Sequence, residues 1–337
     1  EMVARILCEI GEVLATEANF NNEIGVPLTL LAIDPSHQFA VVEMGASHIG
    51  DIAYLTQFAE PTIAVLTNAM AVHIEGFGSI EAVAKTKGEI FENLPEGGVA
   101  IINQDEPFFQ QWLQQAGKAS VVTFSKYDTS ANYYASNIHI QTNASTVFEL
   151  HLAQQTITIK LALLGEHNVL NAVAAAAAAM TAGATVDDVK KGLESVRPVD
   201  GRLKASADSN RTVIDDTYNA SPGSVMAAID VLSGFSGRRC LILGTMAELG
   251  GLAEKSHRDV ANYARHKGIE ELLVVGEFAS LVSESFGAAC LPFDDVQQLL
   301  DVLDESLHSS VILVKGSRSA HMERVVEALK KNNKREK

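Results

Sequence analysis

One apolar run of this chain ends in a carboxylate. In FAVVEMG, residues 39–45, Glu43 follows β-branched and apolar residues and precedes Gly45. Hard cations prefer oxygen donors, and Mg²⁺ typically takes one or two protein carboxylates while phosphates and waters complete its shell. Glu43 is therefore a candidate magnesium ligand. An acidic residue at this place can equally well cap the turn that follows.

A histidine and two lysines follow the next apolar run. NAMAVHIEGFGSIEAVAKTKGEIF, residues 68–91, places His73 in a loop after a strand and Lys85 and Lys87 on the helix beyond it. Such a group could serve catalysis at the end of a strand. It could also be a structural loop histidine beside a solvated helix face, and the residues alone leave both interpretations open.

Two further segments carry groups that recognise nucleotides. GEHNVLNAV, residues 165–173, places Asn168 at the start of a predicted helix, where free backbone amides and the positive end of the dipole favour anions or an amide-recognised base. Asn168 could also simply cap that helix. Arg202, in RPVDGR, has a planar donor fork that suits a phosphate, but it could equally be a surface residue.

Charged and hydroxyl residues also mark two strand-to-helix turns in the second half. VIDDTYNASPGS, residues 213–224, contains Asp215 and Asp216. In LVKGSRSAHME, residues 313–323, the cationic and hydroxyl side chains precede a helix predicted to begin near residue 320, an arrangement typical of an anion site. The residues concerned are Lys315, Ser317 and Arg318.

The elements that must position these groups follow an α/β pattern. Short β-branched runs alternate with helical stretches, which is typical of a parallel sheet covered on both faces, and period-two alternation over 133–160 predicts a small antiparallel sheet. The predicted parallel strands cover 39–45, 62–69, 98–106 and 120–125, then 211–216, 239–244, 271–276 and 310–316. An alanine-rich helix follows Gly165, and Pro198 with Gly201 predicts a domain boundary.

Bulk composition excludes several classes of function. The formal net charge is -16, which disfavours nucleic acid as a partner. No apolar run approaches the roughly 20 residues that span a bilayer. Three cysteines without a CxxC pair favour reduced thiols and a cytoplasmic protein.

Taken in order along the chain, several motifs together resemble those of the Mur ligases, the ATP-dependent amide-forming enzymes of peptidoglycan precursor synthesis. The motifs are NFNNEIGVPLTLL (19–31), VVEMGASHIGDI (41–52), HIEGFGSIEAVAKTKGEIF (73–91), GEHNVLNAVAA (165–175), GRL (201–203), DDTYNASPGS (215–224), MAELG (246–250) and VILVKGSRS (311–319). The GVPLTLL, HIEGFGS and VKGSRS stretches are similar to the dipeptide-adding branch. The resemblance implies a central parallel-sheet ATPase-type domain, 1–198, and a smaller Rossmann-like C-terminal domain, 199–337.

The resemblance also implies roles for the residues of the first half and the domain junction. Glu43 matches a magnesium ligand, His73 a ligand of a second magnesium, and Lys87 a lysine that is carbamylated in the family. A carbamate is a carboxylate and can ligate a cation, which an ammonium cannot. Asn168 matches the adenine-recognising asparagine, and Arg202 a phosphate-contacting arginine. Lys87, His73 and Arg202 would be the catalytic residues.

In the second half, Asp216 and Tyr218 match ATP contacts. The implied substrate contacts are Lys315, Ser317, Arg318 and, more weakly matched, Asn22. Three positions depart from the family pattern and affect the details of the nucleotide contacts. These are Ser221, Gly223 and Thr245.

The implied cofactors are ATP and two Mg²⁺ ions, and the implied substrates are UDP-N-acetylmuramoyl-tripeptide and D-Ala-D-Ala. The resemblance further implies a cytoplasmic monomer that binds no nucleic acid and inserts into no membrane. Two alternatives stay open. One is another amino-acid-adding ligase of the superfamily, including a folylpolyglutamate synthase-like enzyme. The other is a non-catalytic ligand-binding relative.

The first residues, EMVARILCEIG, have the apolar spacing of an amphipathic helix with no capping residue before it. In the family, a glycine-rich phosphate loop ending in Gly-Lys-Thr/Ser opens into such a helix and a UDP-binding domain precedes it. We therefore expect these 337 residues to be a fragment that folds as two domains, binds ATP poorly and does not ligate.

Overall fold

The structure is a computed structural model that describes residues 1–70, 74–141, 145–207, 211–307 and 310–332. The described residues separate into two compact units. The first comprises 1–141, 145–162 and 166–197, and the second comprises 163–165 and the described residues from Pro198 onward. No helix in these ranges is long and apolar enough to cross a membrane.

The first unit contains eight helices and eight strands among its described residues. The helices are α1 (Met2–Leu7), α2 (Gly25–Leu31), α3 (Asp51–Ala59), α4 (Ile74–Phe77), α5 (Ile80–Gly88), α6 (Phe109–Gln115), α7 (Glu166–Thr181) and α8 (Val186–Ser195). The strands are β1 (Val13–Ala15), β2 (Phe39–Val41), β3 (Ile63–Leu66), β4 (Val99–Asn103), β5 (Ser120–Ser125), β6 (Tyr133–Ile140), β7 (Thr146–Leu152) and β8 (Gln155–Leu161).

The main sheet of this unit has the order β3-β4-β5-β6-β7-β8. Strands β3 to β6 are parallel, and β6 to β8 are antiparallel. The predicted α/β class is confirmed, and so is the antiparallel character of 133–160. Those strands do not stand apart, however, because Phe124 pairs with Tyr133 and Ser125 with Tyr134, which joins the antiparallel strands to the edge of the parallel ones.

Strand β2 is shorter than the predicted strand 39–45 and pairs with β1 in a separate two-stranded sheet. Beyond Val41 the backbone amides bond to loop residues instead of to a neighbouring strand. The Glu43 amide donates to Thr16 Oγ1 at 2.8 Å, and the Gly45 amide donates to the Asn21 carbonyl at 2.7 Å. Glu43 therefore lies in a loop held by two other loop segments.

The alanine-rich helix α7 lies against the main sheet, and Ala174 to Ala179 are all buried in it. Small side chains allow this helix to approach the strands closely. The helix ends at Thr181, and Gly183, with φ of +104°, lets the following amide of Ala184 bond back to the Ala179 carbonyl.

The second unit is a six-stranded sheet with helices on both faces. Its strands are β9 (Lys204–Ala207), β10 (Thr212–Asp216), β11 (Arg239–Gly244), β12 (Glu271–Val275), β13 (Cys290–Phe293) and β14 (Val311–Lys315). Its helices are α9 (Pro222–Ser233), α10 (Ala253–His266), α11 (Ala279–Phe286), α12 (Val296–Ser306) and α13 (Glu323–Asn332). The strand order is β13-β12-β11-β14-β10-β9, parallel except for β9.

Alternate residues of the central strands enter two separate apolar clusters. Ile214 packs with residues of α9, α10 and α11, whereas its neighbour Val213 packs with residues of α12 and α13. This alternation is what a sheet buried on both faces requires. The parallel pairing of β10 with β14 places their polar carboxyl ends side by side, because Asp216 pairs in register with Lys315.

Candidate active site

Glu43 is exposed, and its carboxylate is oriented by a neighbouring amide. Asn21 Nδ2 donates to Glu43 Oε1 at 2.8 Å. The Asn21 backbone is fixed by the amide of Gly45, and a Cβ at Gly45 would lie 3.0 Å from the Asn21 side chain. The bond engages one carboxylate oxygen and restricts the orientation of the other, which suits an exposed ligand for a hard cation.

Asn22, predicted as a substrate contact, is also exposed, but its side-chain oxygen serves the local turn. Asn22 Oδ1 accepts from the amides of Ile24 at 3.3 Å and Gly25 at 2.9 Å, and its carbonyl accepts from Val26. These bonds satisfy amides at the start of α2. Asn22 therefore helps to begin α2, and Asn21 rather than Asn22 contacts Glu43.

Lys87 is half-buried on α5, and its ammonium lies against the chain after β3. Lys87 Nζ donates to the Asn68 carbonyl at 3.2 Å. Burial lowers the pKa of Lys87 below its ordinary value, because desolvation disfavours the charged amine, and the carboxylate of Glu106 acts in the opposite direction. A larger neutral fraction makes this amine more nucleophilic than a solvated lysine.

Glu106, which follows β4, faces the same region. Glu106 Oε2 accepts from the Ala69 amide at 3.1 Å, and burial raises the pKa of Glu106 although that amide and Lys87 both lower it. Asn103, at the end of β4, donates from Nδ2 to the Thr67 carbonyl at 2.7 Å. Asn103 and Glu106 thus fix the backbone segment that follows β3. Lys87 bonds to the same segment.

Helix α5 is held by local and tertiary contacts. Ser79 accepts from the Ala82 amide at its start, and buried Trp112 of α6 donates from Nε1 to the Ala84 carbonyl at 2.9 Å. Gly88 permits the close approach, because a Cβ there would lie 2.8 Å from Trp112 Cδ1. These contacts fix the turn of α5 that carries Lys87.

His73 falls outside the described residues, so its predicted place in a second magnesium site stays a prediction. Within the described ranges no group of three or more His, Cys, Asp or Glu side chains could hold a metal ion. A cation bound at Glu43 would complete its shell with other oxygen donors, such as phosphates and waters.

Asn168 lies in the first turn of α7, as predicted. Its Nδ2 is 3.2 Å from His167 Nε2, and its Oδ1 is 3.5 Å from Asn171 Nδ2. Glu166, the first residue of α7, accepts from Lys126 Nζ at 2.9 Å and from the Tyr127 hydroxyl. The start of α7 is thus surrounded by polar and aromatic groups, which is compatible with base recognition.

In the second unit, Arg202 and Tyr218 lie together. The Arg202 guanidinium carbon is 4.2 Å from the centroid of the Tyr218 ring, and both residues are exposed. The Tyr218 amide donates to the Gly201 carbonyl at 3.0 Å, and Gly201 has φ of +74°. The structure thus brings together a predicted phosphate contact and a predicted ATP contact as one stacked pair.

Asp216 and Lys315 also lie together, but both are buried, with exposed fractions of 9% and 3%. Lys315 Nζ is 2.6 Å from Asp216 Oδ2 and 2.9 Å from the Asn219 carbonyl. Asp216 Oδ1 accepts from the Leu203 amide at 3.2 Å. The predicted substrate contact of Lys315 is therefore not exposed to a ligand in this structure.

Ser317 is likewise buried, whereas Arg318 is exposed. The Ser317 hydroxyl accepts from the Ala247 amide at 2.7 Å and lies 3.4 Å from the Ala220 carbonyl, to which it donates. Arg318 lies 3.9 Å from Glu323 with most of its side chain in solvent. Of the three predicted contacts in this motif, only Arg318 has an exposed side chain.

Two of the three residues that depart from the family pattern, Ser221 and Thr245, have structural roles. Ser221 forms a capping box with Ser224 at the start of α9, and Thr245 Oγ1 donates to the Val275 carbonyl at 3.3 Å. Sequence reasoning missed two residues, Asn21 and Glu106. The signal for Glu106 was available, since an acidic residue just after an apolar strand is the same pattern that identified Glu43.

Comparison with known proteins agrees with these motifs. Residues 1–179 match the family model of the Mur ligase middle domain, and residues 201–318 match that of the Mur ligase, glutamate ligase domain. The chain is 43% identical over 336 residues to the UDP-N-acetylmuramoyl-tripeptide–D-alanyl-D-alanine ligase of Escherichia coli K12, covering 98% of this chain and 74% of that protein.

Solved structures show the same relationship. A crystal structure of MurF from Acinetobacter baumannii superposes with a TM-score of 0.91 at 32% identity, covering 97% of this chain and 72% of that one. The MurF ligase of Thermotoga maritima in complex with ADP superposes with a TM-score of 0.89 at 27% identity, covering 100% of this chain and 77% of that one.

Proposed function

This chain belongs to the Mur ligase family, and we propose that it catalyses the ATP-dependent addition of D-Ala-D-Ala to UDP-N-acetylmuramoyl-tripeptide in peptidoglycan precursor synthesis. The observation that carries the proposal is the 43% identity with a ligase of that name over 98% of the chain. The site supports it, because the motif residues Glu43 and Lys87 follow successive strands of the middle domain.

The proposed reaction has two steps, formation of an acyl phosphate and then of an amide. The terminal carboxylate of the tripeptide attacks the γ-phosphorus of ATP, which gives an acyl phosphate and ADP. The amine of D-Ala-D-Ala then attacks the acyl carbon, and the tetrahedral intermediate expels inorganic phosphate and loses a proton to form the amide. Phosphoryl transfer needs mainly positioning and charge neutralisation from a protein.

Glu43 fits a magnesium site, because it is an exposed carboxylate whose orientation is set by Asn21. A bound Mg²⁺ would neutralise charge on the phosphates of ATP. His73 and a carbamate on Lys87 are the proposed ligands of a second ion. The Glu43 carboxylate and the proposed Lys87 carbamate are oxygen donors, which hard cations prefer.

Carbamylation of Lys87 is supported by its surroundings. The neutral amine attacks CO₂, a C–N bond forms, and one proton leaves to give an anionic carbamate. Burial lowers the pKa of Lys87 and so raises the fraction of reactive amine. The amine is also held in place, because Nζ bonds to the Asn68 carbonyl.

The remaining predicted contacts divide between base, phosphates and dipeptide. Asn168 recognises adenine at the start of α7, exposed Arg202 contacts a phosphate, and Tyr218, stacked beside Arg202, contacts ATP. We assign Arg318, the exposed cation of the VKGSRS motif, to the binding of a substrate carboxylate. The enzyme acts as a cytoplasmic monomer, which light scattering and cell fractionation would test.

A panel of acceptor amines tests the proposed function. The purified full-length enzyme receives ATP, Mg²⁺ and UDP-N-acetylmuramoyl-tripeptide with D-Ala-D-Ala, L-glutamate, or no amine, and phosphate release is measured. We expect sustained release only with D-Ala-D-Ala. Turnover with glutamate but not with D-Ala-D-Ala would show another amide ligase of the superfamily, and no release with any amine would show a non-catalytic relative.

A further inference from the structure

The buried ion pair at the ends of β10 and β14 suggests a different role for Lys315 from that of a substrate contact. Two groups already engage its ammonium, namely Asp216 Oδ2 at 2.6 Å and the Asn219 carbonyl at 2.9 Å. The residue is 3% exposed. A dipeptide could reach this ammonium only by displacing groups to which it is bonded.

Asp216 connects this ammonium to a second segment. One oxygen accepts from Lys315 and the other accepts from the Leu203 amide at 3.2 Å. The carboxylate therefore bridges the end of β14 to the GRL segment, 201–203. Since both oxygens have protein partners and the residue is 9% exposed, Asp216 is itself poorly placed to contact a ligand directly.

The two backbone groups held by this pair have a common feature. Leu203 directly follows Arg202, and Asn219 directly follows Tyr218. Arg202 and Tyr218 are both exposed, and the Arg202 guanidinium carbon lies 4.2 Å from the centroid of the Tyr218 ring. The buried pair thus fixes the chain immediately after each half of the exposed stacked pair.

We propose that Lys315 is a positioning residue that acts on the nucleotide through Asp216 and the Asn219 carbonyl, and that the stacked pair Arg202 and Tyr218 makes the contact. This inference rests on the proposed ligase function. Ser317 supports it with a second tie from the same motif, because its hydroxyl bridges the Ala220 carbonyl and the Ala247 amide. The VKGS segment, 314–317, therefore holds the loop that follows β10 at two points.

Steady-state kinetics with each substrate varied separately tests this role. We expect Lys315→Met to raise the KM for ATP about tenfold or more and to leave the KM for D-Ala-D-Ala within about twofold. The matched control is Lys267→Met, which removes an equally short 2.6 Å ion pair, with Asp230, at the exposed surface of the same unit. It should change neither KM. A raised dipeptide KM with unchanged ATP KM in Lys315→Met would overturn the proposal.

A double-variant cycle keeps the test valid if Lys315→Met folds poorly. Lys315→Met/Asp216→Asn leaves no uncompensated buried charge. Because Lys315 acts partly through Asp216, we expect the rise in log KM for ATP in the double variant to be smaller than the sum of the rises in the two single variants, with the dipeptide KM unchanged. Fully additive effects on the ATP KM, or a rise in the dipeptide KM on introducing Lys315→Met, would contradict the proposal.

Two controls separate the possible failures. A purely structural loss reduces the active fraction and therefore kcat, without a selective change in one KM. Wild-type turnover with D-Ala-D-Ala tests the proposed function by itself. If the wild type turns over and the ATP KM does not respond to either substitution, only the positioning role fails.

Discussion

Asn21 orients Glu43, since its Nδ2 donates to Glu43 Oε1 at 2.8 Å across 22 residues of sequence. Removing the amide with Asn21→Ala frees the carboxylate to rotate, and groups that orient metal ligands typically contribute about 10–100-fold to metal affinity or activity. We therefore expect a rise of about tenfold in the Mg²⁺ concentration that gives half-maximal ligation, measured by titration at saturating ATP.

The neighbouring residue provides the control for that prediction. Asn22→Ala removes the acceptor of the Ile24 and Gly25 amides and should lower the free energy of unfolding by about 0.5–2 kcal/mol. It should leave the Mg²⁺ dependence unchanged. Equal Mg²⁺ dependence in Asn21→Ala and wild type would show that Asn21 does not support the metal site.

Lys87→Ala should abolish ligation, because it removes the amine that carries the proposed carbamate. Short carboxylic acids added to the assay should partly restore activity by replacing the missing carboxylate. Lys85→Ala is the matched control, since Lys85 lies on the same helix but is exposed. Wild-type activity in Lys87→Ala, or no rescue over a range of acids, would contradict the carbamate.

The fluorescence of Trp112 reports whether these variants keep their fold. It is the single tryptophan of the chain, is fully buried, and donates to the Ala84 carbonyl of α5. An unshifted emission maximum in Lys87→Ala would therefore show that α5 remains packed on α6. Loss of activity with a red-shifted maximum would point to misfolding instead.

The stacking of Arg202 on Tyr218 predicts a difference between two substitutions. Tyr218→Phe keeps the aromatic face and should leave the KM for ATP within about twofold, whereas Tyr218→Leu removes it. An exposed cation–π contact contributes about 0.5–1 kcal/mol, so the leucine variant should raise that KM about two- to fivefold. The same KM in both variants would show that the ring face does not matter.

His257 predicts a pH dependence of stability in the second unit. It is fully buried, Nδ1 donates to the Ala253 carbonyl at 2.8 Å, and Nε2 accepts from the Met246 amide at 3.0 Å. Burial lowers the pKa of His257 below its ordinary value, although the Ala253 carbonyl and Glu277 act in the opposite direction. Protonation would remove the acceptor for Met246.

Because the pKa of His257 is lowered in the folded state, the second unit should lose stability as pH falls. The neutral histidine stabilises the fold fully above its unfolded-state pKa of about 6.5, and this contribution is lost as pH falls through the lower folded-state pKa. Thermal unfolding of wild type and His257→Gln from neutral to acid pH tests this. The stability difference between them should shrink as pH falls, and a constant difference would contradict the assignment.

Much of the site was predictable because the carboxyl ends of parallel strands gather polar groups. Glu43, Asp216 and Lys315 were identified from apolar runs that end in charged residues, and the structure places each at or just beyond a strand end. What could not be predicted depends on long-range pairing. Asp216 and Lys315 are 99 residues apart, and only the register of β10 against β14 makes them partners.

Local geometry limited other predictions. Asn21 and Asn22 are adjacent and identical in type, so sequence cannot distinguish the one that orients Glu43 from the one that begins α2. The antiparallel strands were predicted from their alternation. Their attachment to the main sheet depends on the pairing of Phe124 with Tyr133 and Ser125 with Tyr134, which no periodicity shows.

The acyl phosphate step is the central claim, and an isotope experiment tests it most directly. The tripeptide substrate is prepared with ¹⁸O in both oxygens of its terminal carboxylate, and the phosphate released during ligation to D-Ala-D-Ala is examined by mass spectrometry. One carboxylate oxygen should leave with the phosphoryl group, so each inorganic phosphate should carry one ¹⁸O. Unlabelled phosphate formed alongside the amide product would contradict the account.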